Sequence, residues 1–288
     1  MRILITGAGG QLGRDLAAAA AEGPAADIIA ADRGRLDVAD RDAVLQALTA
    51  ARPGVVVHAG AWTAVDACEA DADRAFRVNA LGSRHVAEGA ALIGAHLVYL
   101  STDYVFDGRA GDAYREWDAT NPLSVYGRSK LAGEREVQAL RPGATIVRTS
   151  WVCSAHGQNM VKTVLRLAAS HPELRFVADQ QGCPTFTEDL AGMILRLAGG
   201  RLPGIFHVTN QGATTWFQFA RDVLQAAGAN PDRVQPIATA DLQPPRPAPR
   251  PANSVLDNAA LRYLGIPLLD DHHVPLERVV KQLAAVAA

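Results

Sequence analysis

Short β-branched strands alternate with helix-length, alanine- and leucine-rich stretches through the first half of this chain. The strand-like runs are RILIT (2–6), DIIAA (27–31), VVVHAG (55–60), HLVYLS (96–101) and TIVRTS (145–150). Strands that alternate with helices in this way form a parallel sheet with helices on both faces. The sequence therefore predicts an α/β fold of the doubly wound, Rossmann type.

The second half of the chain follows a less regular pattern. Runs at 176–180 and 204–210 still resemble strands, and we expect both to return to the sheet of the first half. The proline-rich segment 236–254 cannot form regular helix or central strand, because proline lacks the N–H that both need. We predict a Rossmann domain over 1–150 and a smaller lobe over 151–288 that binds mainly substrate, with the proline-rich segment as an ordered loop inside it.

Charge and composition exclude several classes of protein. A net charge of −2 and a pI near 6.4 provide no basic surface for nucleic acid and no polybasic run for anionic lipid. No apolar run reaches the roughly 20 residues of a membrane span, and no signal-peptide layout precedes the first strand. We therefore expect a cytoplasmic protein whose partner is a small molecule or another subunit. Cys68, Cys153 and Cys183 are far apart and odd in number, which favours reduced core residues over disulfides or a zinc site.

A glycine-rich turn directly follows the first strand. Gly7, Gly10 and Gly13 have the spacing G-x-x-G-x-x-G and open the first helix. In this position glycines permit a tight turn and a close approach of the backbone to a pyrophosphate at the helix N-terminus. The motif predicts that the Rossmann domain binds NAD(P).

Two residues at the end of the second strand bear on which nicotinamide cofactor binds. Asp32 lies about 20 residues past the glycines, where a carboxylate commonly binds the adenosine ribose of NAD. The adjacent Arg33 is suited to the 2′-phosphate of NADP. The two residues favour opposite cofactors, and we expect NADPH slightly ahead of NADH.

A tyrosine and a lysine, Tyr126 and Lys130, stand four residues apart in a helix-like stretch and so share one helix face. A nearby cation lowers the pKa of a phenol by roughly 1–3 units, which would help Tyr126 to donate a proton to a carbonyl oxygen. The fourth strand ends at Ser101, Thr102 and Asp103, and open α/β sheets bind ligands beyond the carboxyl ends of their strands. We therefore expect these side chains and the glycine turn to meet over one crevice.

At these residues the sequence resembles the extended short-chain dehydrogenase/reductase family, and within it the dTDP-4-dehydrorhamnose reductases. The resemblance covers essentially the whole chain and rests on stretches in the family's order: TGAGGQLG (6–13), STDYVFDG (101–108), YGRSKLAGE (126–134), RTSWV (148–152), DQQGCPT (179–185) and TTWFQFA (214–220). It implies reduction of the 4-keto group of dTDP-4-dehydro-6-deoxy-L-mannose to dTDP-L-rhamnose, with NADPH or NADH as the hydride donor.

The resemblance also implies roles for individual residues. The family's Ser/Thr, Tyr and Lys correspond to Thr102, Tyr126 and Lys130. Tyr126 would protonate the nascent alkoxide, Lys130 would bind the nicotinamide ribose and lower the phenol pKa, and Thr102 or Ser101 would hydrogen-bond the ketone oxygen. The candidate cofactor contacts are Gly7, Gly10, Gln11, Leu12, Gly13, Asp32, Arg33, Asp37, Ala59, Gly60, Ala61, Ser101, Tyr126 and Lys130.

The substrate site is expected to take residues from both halves of the chain. Arg250 is suited to the pyrophosphate, because a guanidinium binds two oxygens at once. The candidate substrate contacts are Thr102, Asp103, Tyr104, Phe106, Trp151, Asn159, Gln180, Thr185 and Arg250. Related dehydratases carry a glutamate where Tyr104 stands, which favours reduction over dehydration here. The segment HAGAWTAVD (58–66) departs from the family's NAAAYT, so the contacts of this loop stay open.

No metal is expected in the chemistry itself. Family members imply a homodimer with Mg²⁺ at the contact between subunits, for which Asp15 and Glu188 are the candidates. His272 and His273 stand in the acidic turn DDHHV, where metal binding is the less favoured interpretation.

Two other functions compete with the rhamnose reductase. A 4-ketoreductase of another dTDP-deoxysugar, as in dihydrostreptose or antibiotic pathways, would use the same motifs. A noncatalytic, nucleotide-binding regulatory subunit of methionine adenosyltransferase would share the fold, although the presence of both Tyr126 and Lys130 favours an enzyme.

Overall fold

Strands and helices alternate along the computed structural model, which describes residues 2–22 and 27–287. The strands are β1 (Arg2–Thr6), β2 (Asp27–Ala31), β3 (Val55–His58), β4 (His96–Thr102), β5 (Thr145–Thr149), β6 (Val152–Cys153), β7 (Leu174–Val177), β8 (Gln181–Gly182), β9 (Thr185–Phe186), β10 (Gly204–His207), β11 (Thr214–Thr215) and β12 (Val234–Ile237). The α-helices are α1 (Gln11–Glu22), α2 (Arg41–Ala51), α3 (Val65–Ala70), α4 (Ala72–Phe76), α5 (Gly82–Leu92), α6 (Val125–Leu140), α7 (Met160–Ser170), α8 (Thr187–Gly200), α9 (Trp216–Ala226), α10 (Ala259–Tyr263) and α11 (His273–Ala287). A π-helical turn, Arg77–Leu81, joins α4 to α5.

The central sheet has six parallel strands in the order β10-β5-β4-β3-β1-β2. The predicted Rossmann fold is therefore confirmed. The chain leaves β1 toward β2 on one side and returns to β3 on the other, so the strand order reverses between β1 and β3. Ligands of such sheets bind beyond the carboxyl ends of the strands at this point of reversal.

Side chains of the central strands alternate between two apolar layers, as the two-residue period of a strand requires. One layer packs against α1 and α8 and includes Ile3, Ile5, Val57, Leu16, Ile194 and Leu197. The other packs against α2 and α5 and includes Leu4, Val56, Tyr99, Val44, Leu48 and Val86. Both faces are covered, which explains why the middle of each strand is mostly apolar.

The C-terminal half forms a second core of its own. Its short strands pair as β7 with β12, β6 with β9, and β8 with β11. Side chains of α7, α9 and α11 pack over these strands and meet Phe176 of β7, among them Val161, Val164, Phe219, Val223, Leu276 and Val279. Among the described residues no helix is both long enough and apolar enough to cross a membrane.

The two strands expected to return to the central sheet behave differently. The run at 204–210 contains β10, which joins the sheet beside β5 as predicted. The prediction for 176–180 was wrong, because the strand is Leu174–Val177 and pairs with β12 in a separate sheet. Leu174 and Phe176 are buried in the second core together with the apolar side chains of α9. The domain boundary at residue 150 stays a prediction.

The proline-rich segment 236–254 is held to both halves of the molecule. The backbone N–H of Ala248 donates to Asp66 at 3.1 Å, and that of Ser254 donates to the Gln181 carbonyl at 2.8 Å. The segment contains the end of β12 and a 3₁₀ turn at Thr239–Asp241, but otherwise forms an ordered loop.

Candidate active site

A cavity of about 790 Å³ opens at the carboxyl ends of the central strands. It brings together the glycine turn, the ends of β2, β3 and β4, and one face of α6. Of the predicted site residues, those that line it are Gly7, Gly10, Gln11, Leu12, Gly13, Asp32, Arg33, Asp37, Ala59, Gly60, Ala61, Ser101, Thr102, Asp103, Tyr104, Tyr126, Lys130 and Trp151.

The glycine turn leaves backbone exposed where side chains would otherwise stand. Gly7 has φ +70°, and a Cβ on it would lie 2.7 Å from Gly60 Cα. A Cβ on Gly13 would lie 2.6 Å from Ala8 Cα and closer still to the Gly7 carbonyl oxygen. The turn therefore requires glycine at both positions, and its bare backbone at the start of α1 suits the pyrophosphate of a dinucleotide.

The outer rim of the cavity carries exposed charges. Asp32 Oδ1 accepts a hydrogen bond from the Arg35 backbone N–H at 3.0 Å. The Arg33 side chain is 75% exposed and makes only a loose contact with Asp37, with 3.9 Å between Nε and Oδ2. Since little holds it in place, the Arg33 guanidinium is free to turn toward a phosphate on the adenosine ribose.

Local contacts of α6 position Tyr126 and Lys130. Ser124 caps the helix by accepting from the Gly127 backbone N–H at 3.1 Å. A Cβ on Gly127 would collide with the Tyr104 carbonyl, so this glycine allows α6 to approach the end of β4. The Tyr126 ring then packs edge-on against the Tyr104 ring, with 5.6 Å between centroids. Lys130 Nζ donates to the Leu100 carbonyl at 2.6 Å and lies 4.2 Å from the centroid of the Tyr99 ring.

Burial controls the protonation of both residues. It raises the pKa of Tyr126, which a hydrogen bond with Thr102 only partly offsets. It lowers the pKa of Lys130 to about 7, against the opposing charge of Glu134. Burial is the largest influence on the phenol pKa, and the Lys130 Nζ donates to the Leu100 carbonyl, so the expected lowering of the phenol pKa by Lys130 stays a prediction.

The Thr102 hydroxyl, at the end of β4, already forms hydrogen bonds within the chain. Thr102 Oγ1 donates to Asp103 Oδ1 at 2.9 Å and accepts from the Tyr104 backbone N–H at 3.2 Å. Burial raises the pKa of Asp103 to about 6, and its Oδ2 has no hydrogen-bond partner among the described residues. Thr102 can donate to a ligand only if its hydroxyl turns away from this carboxylate.

A buried ion pair behind the cavity was missed by the sequence analysis. Arg148 donates to both carboxylate oxygens of Glu134, at 2.9 and 2.7 Å, and each side chain is at most 3% exposed. Ser101 Oγ donates to the same carboxylate at 2.5 Å, so, like Thr102, it can donate to a ketone only if its hydroxyl turns away from a carboxylate. The sequence did contain a signal for Glu134, because this residue stands four positions after Lys130 and therefore lies on the same helix face.

The loop that departs from the family packs inward. His58 is buried, hydrogen-bonds Thr6 and Ser83 through its two ring nitrogens, and has its pKa lowered to about 3 by burial and then by the charge of Lys130. Asn79, on the π-helical turn, accepts from the Trp62 N–H at 2.8 Å and donates to its carbonyl at 3.1 Å. These bonds fix the Trp62 segment at the cavity wall, where Arg74 lies over the indole.

Two tryptophans form the far wall of the cavity. Trp151 has φ +46° and stacks on Trp216 with 3.4 Å between ring centroids. Gly182 makes room for the Trp151 ring, which a Cβ there would strike. A positive φ at a tryptophan is strained, and such strain concentrates at functional sites.

Five predicted substrate contacts do not line the cavity. Phe106 is fully buried and stacks on Tyr114, and Thr185 is fully buried and donates to the Cys183 carbonyl. Asn159 caps α7, and Gln180 donates to Thr239 at 2.9 Å. Arg250 forms a two-pronged ion pair with Asp66, including 2.7 Å from Nη2 to Oδ2, and its charge acts on Tyr104 at the cavity wall. Their roles in substrate binding stay predictions.

The two carboxylates named for Mg²⁺ have protein partners. Asp15 accepts from Thr187 and from Ser154 and lies 3.3 Å from His156 Nε2. Glu188 pairs with Arg278 at 2.9 Å. Both groups are therefore neutralised or hydrogen-bonded within the chain.

Comparison with known proteins identifies the family. The model of the RmlD substrate binding domain matches residues 1–285. The chain belongs to this family. The matched range contains both the glycine turn and the Tyr126–Lys130 face.

Individual family members support the same assignment. The dTDP-4-dehydrorhamnose reductase of Streptomyces griseus is 44% identical over 271 residues, covering 92% of this chain and 88% of that protein. The "Probable dTDP-4,6-dihydroxy-2-methyloxan-3-one 4-ketoreductase" of Streptomyces antibioticus is 43% identical over 289 residues, covering 99% of this chain and 96% of that protein. The crystal structure of the dTDP-4-dehydrorhamnose reductase of Bacillus anthracis in complex with NADP has a TM-score of 0.91 and 37% identity, covering 99% of each chain.

Proposed function

We propose that this protein reduces the 4-keto group of dTDP-4-dehydro-6-deoxy-L-mannose with NADPH, forming dTDP-L-rhamnose. The observation that carries the proposal is that one cavity holds both a bare glycine turn at a helix N-terminus and the Thr102, Tyr126 and Lys130 side chains. The names of the S. griseus and B. anthracis relatives support the substrate.

The bound nicotinamide would supply the hydride, and the chain supplies the proton and the positioning. Tyr126 keeps its proton at neutral pH because burial raises the pKa of its phenol. The phenol can therefore act as a general acid toward the oxygen at C4 as negative charge develops there, a contribution worth about 10²–10⁴-fold in rate. Thr102 would stabilise the same oxygen once its hydroxyl turns away from Asp103.

Lys130 acts in this proposal as a positioning hydrogen-bond donor. Its Nζ is held at the end of β4 by the Leu100 carbonyl, beside the Tyr99 ring. Ribose hydroxyls placed there would accept from its remaining N–H groups. Glu134 and Arg148 neutralise each other, so they keep the neighbouring helix face in place without adding net charge.

NADPH is proposed over NADH because of the two charged side chains at the outer rim of the cavity. Arg33 is exposed and weakly paired, whereas Asp32 already accepts from the Arg35 backbone. The NADP in the B. anthracis relative supports the same choice. Mg²⁺ is not part of this proposal, since Asp15 and Glu188 bind other side chains.

The test is a coupled assay. The upstream enzymes would generate dTDP-4-dehydro-6-deoxy-L-mannose from dTDP-glucose, and NADPH or NADH oxidation would be followed with chemical identification of the sugar. We expect dTDP-L-rhamnose, with NADPH used faster. Cofactor binding without oxidation would contradict the proposal and would favour either another deoxysugar ketone as substrate or a regulatory role.

A second candidate is reduction of a different dTDP-deoxysugar ketone. The observation that favours it is the 43% identity to the S. antibioticus 4-ketoreductase, which spans 99% of this chain. A 4-keto dTDP-sugar lacking one ring hydroxyl, tested beside the rhamnose precursor, separates the two. A higher kcat/KM for the deoxygenated sugar would select this second candidate.

A further inference from the structure

Three side chains outside the cavity converge through atoms that carry lone pairs. Asp222 lies on α9, His273 is the first residue of α11, and His272 immediately precedes it. Asp222 Oδ2 is 3.7 Å from His272 Nε2 and 3.5 Å from His273 Nε2, and the three atoms all lie within 4.8 Å of one another. None of the three residues lines the active-site cavity.

The other ring nitrogen of each histidine has a partner of its own. His272 Nδ1 lies 3.2 Å from the Gln211 carbonyl, and His273 Nδ1 lies 2.6 Å from Asp271 Oδ1. A carbonyl or carboxylate oxygen can only accept, so each Nδ1 carries the hydrogen. In the neutral imidazoles both Nε2 atoms therefore present lone pairs toward Asp222.

The Asp222 carboxylate is also held in place by a hydrogen bond through one of its two oxygens. Gln218 Nε2 donates to Asp222 Oδ1 at 2.8 Å, which leaves Oδ2 to face the imidazoles. Asp222 Oδ2 and His272 Nε2 are buried and have no hydrogen-bond partner among the described residues. Asp222 is 7% exposed and His272 is 2% exposed. Buried polar atoms without partners are costly, so three converging acceptors call for a cation between them.

We propose that Asp222, His272 and His273 form a site for a divalent transition-metal ion of the zinc type. Ligands about 2.0–2.1 Å from a tetrahedral zinc ion lie about 3.3–3.4 Å from one another, close to the two separations measured here. Two imidazole nitrogens and one carboxylate oxygen favour Zn²⁺ or Co²⁺ over Mg²⁺, which prefers oxygen ligands only. Gln218, Gln211 and Asp271 supply the outer hydrogen bonds that hold metal ligands in place.

The ion would fasten α11 to α9. Both helices contribute to the second core, where Phe219 packs against the His272 ring with 6.1 Å between centroids. His273 is the exposed member, with 57% of its side chain accessible, so solvent reaches the site from its side and provides the fourth ligand as water. The sequence interpretation disfavoured a metal at the DDHHV turn, and it did not include Asp222, which stands 50 positions before His272.

The test is zinc binding by the full chain, freed of any affinity tag and treated with a chelator. Isothermal titration with Zn²⁺ alone should show one site per chain, and Zn²⁺ should raise the Tm. His273→Ala should weaken Zn²⁺ binding by at least about tenfold, the size that loss of even an outer hydrogen bond to a ligand carries. His171→Ala, at an exposed histidine outside the cluster, should leave binding unchanged.

Two further measurements keep the proposal open to contradiction. Co²⁺ should give the intense visible absorption of a four-coordinate site, and Asp222→Asn should remove it while circular dichroism shows an intact fold. The proposal is overturned if Zn²⁺ does not bind, if His273→Ala binds Zn²⁺ as tightly as the parent protein, or if Mg²⁺ competes equally. The first of these results would mean that protons alone bridge the three side chains. The reductase assay is separate and does not depend on this result.

Discussion

The two ends of the cavity differ in how far water reaches their charged groups. At the inner end Lys130, Glu134 and Arg148 are buried, and each charge has a partner within the fold. At the outer rim the Arg33 side chain is 75% exposed and its nearest carboxylate lies 3.9 Å away. Exposed charges interact weakly because water screens them, whereas buried charges shift pKa values and are costly to leave unpaired. Substitutions at the inner end should therefore have the larger effects.

The largest effect is expected for the phenol at the inner end. Tyr126→Phe removes the proposed acid while keeping the ring that packs against Tyr104. Turnover should fall by at least about a hundredfold, with NADPH affinity preserved. Steady-state kinetics and a cofactor titration measure the two quantities. Tyr263→Phe, at a ring that is 72% exposed, is the matched control and should leave both unchanged. Near-full turnover in Tyr126→Phe would remove this residue from the mechanism.

The second largest effect is expected for Lys130, which should make the free energy of unfolding depend on pH. Burial lowers its pKa to about 7 in the folded protein, from 10.5 for an exposed lysine. Between these values the unfolded chain binds more protons, so the free energy of unfolding should rise with pH through this window, by up to about 1.4 kcal/mol per pH unit. Lys130→Met should lack this rise. Urea unfolding of both proteins without cofactor, at a series of pH values, measures the difference.

A matched control sharpens that comparison. Lys281 is exposed on α11, and Lys281→Met should keep the pH dependence of the parent protein. Parallel curves for the parent protein and Lys130→Met would show that the inner end is better hydrated than its burial suggests.

The glycine turn lies between the two ends of the cavity. A substitution there should have an effect of intermediate size on stability and on NADPH binding. An alanine Cβ at position 13 would lie 2.6 Å from Ala8 Cα, so Gly13→Ala should destabilise the protein by about 1–3 kcal/mol and weaken NADPH binding. Gly192→Ala in α8 meets nothing within 4 Å and should instead stabilise by up to about 1 kcal/mol. Chemical unfolding compares the two. Equal effects would mean that α1 can shift to accept the methyl group.

The smallest effect is expected at the rim. Arg33→Ala should lower the ratio of kcat/KM for NADPH to that for NADH by roughly tenfold, the size of one charge-assisted contact. Arg35→Ala, in the same turn but outside the cavity lining, should leave this ratio unchanged. An unaltered ratio in Arg33→Ala would assign the cofactor preference to another part of the rim.

Residues that act through local spacing were predicted well. The G-x-x-G-x-x-G turn, the four-residue spacing of Tyr126 and Lys130, and the hydroxyl at the end of β4 all reach one cavity. Each follows from the geometry of a single helix or strand end, which the sequence encodes over a few residues. The same reasoning would have found Glu134, had the spacing been followed one turn further.

Residues whose position depends on distant partners were harder to place from the sequence. Arg250, expected at a pyrophosphate, pairs with Asp66, and Phe106, expected at a sugar, stacks on Tyr114. Neither lines the cavity, and their roles in substrate binding stay predictions. The strand at Leu174–Val177 pairs with β12 in the second core. Short strands and loops in the C-terminal half carry little periodicity, so their partners follow from packing between segments far apart in the chain.

The sequence by itself determined the alternation of strands and helices, the glycine turn and the reactive face of α6, because these depend on residue periods and on backbone freedom at single positions. Only the tertiary structure decided the protonation of the reactive groups, since burial raises the pKa of Tyr126 and lowers that of Lys130. It also decided that Asp222 meets His272 and His273. Burial and convergence arise from contacts between distant segments, and no local pattern of residues records them.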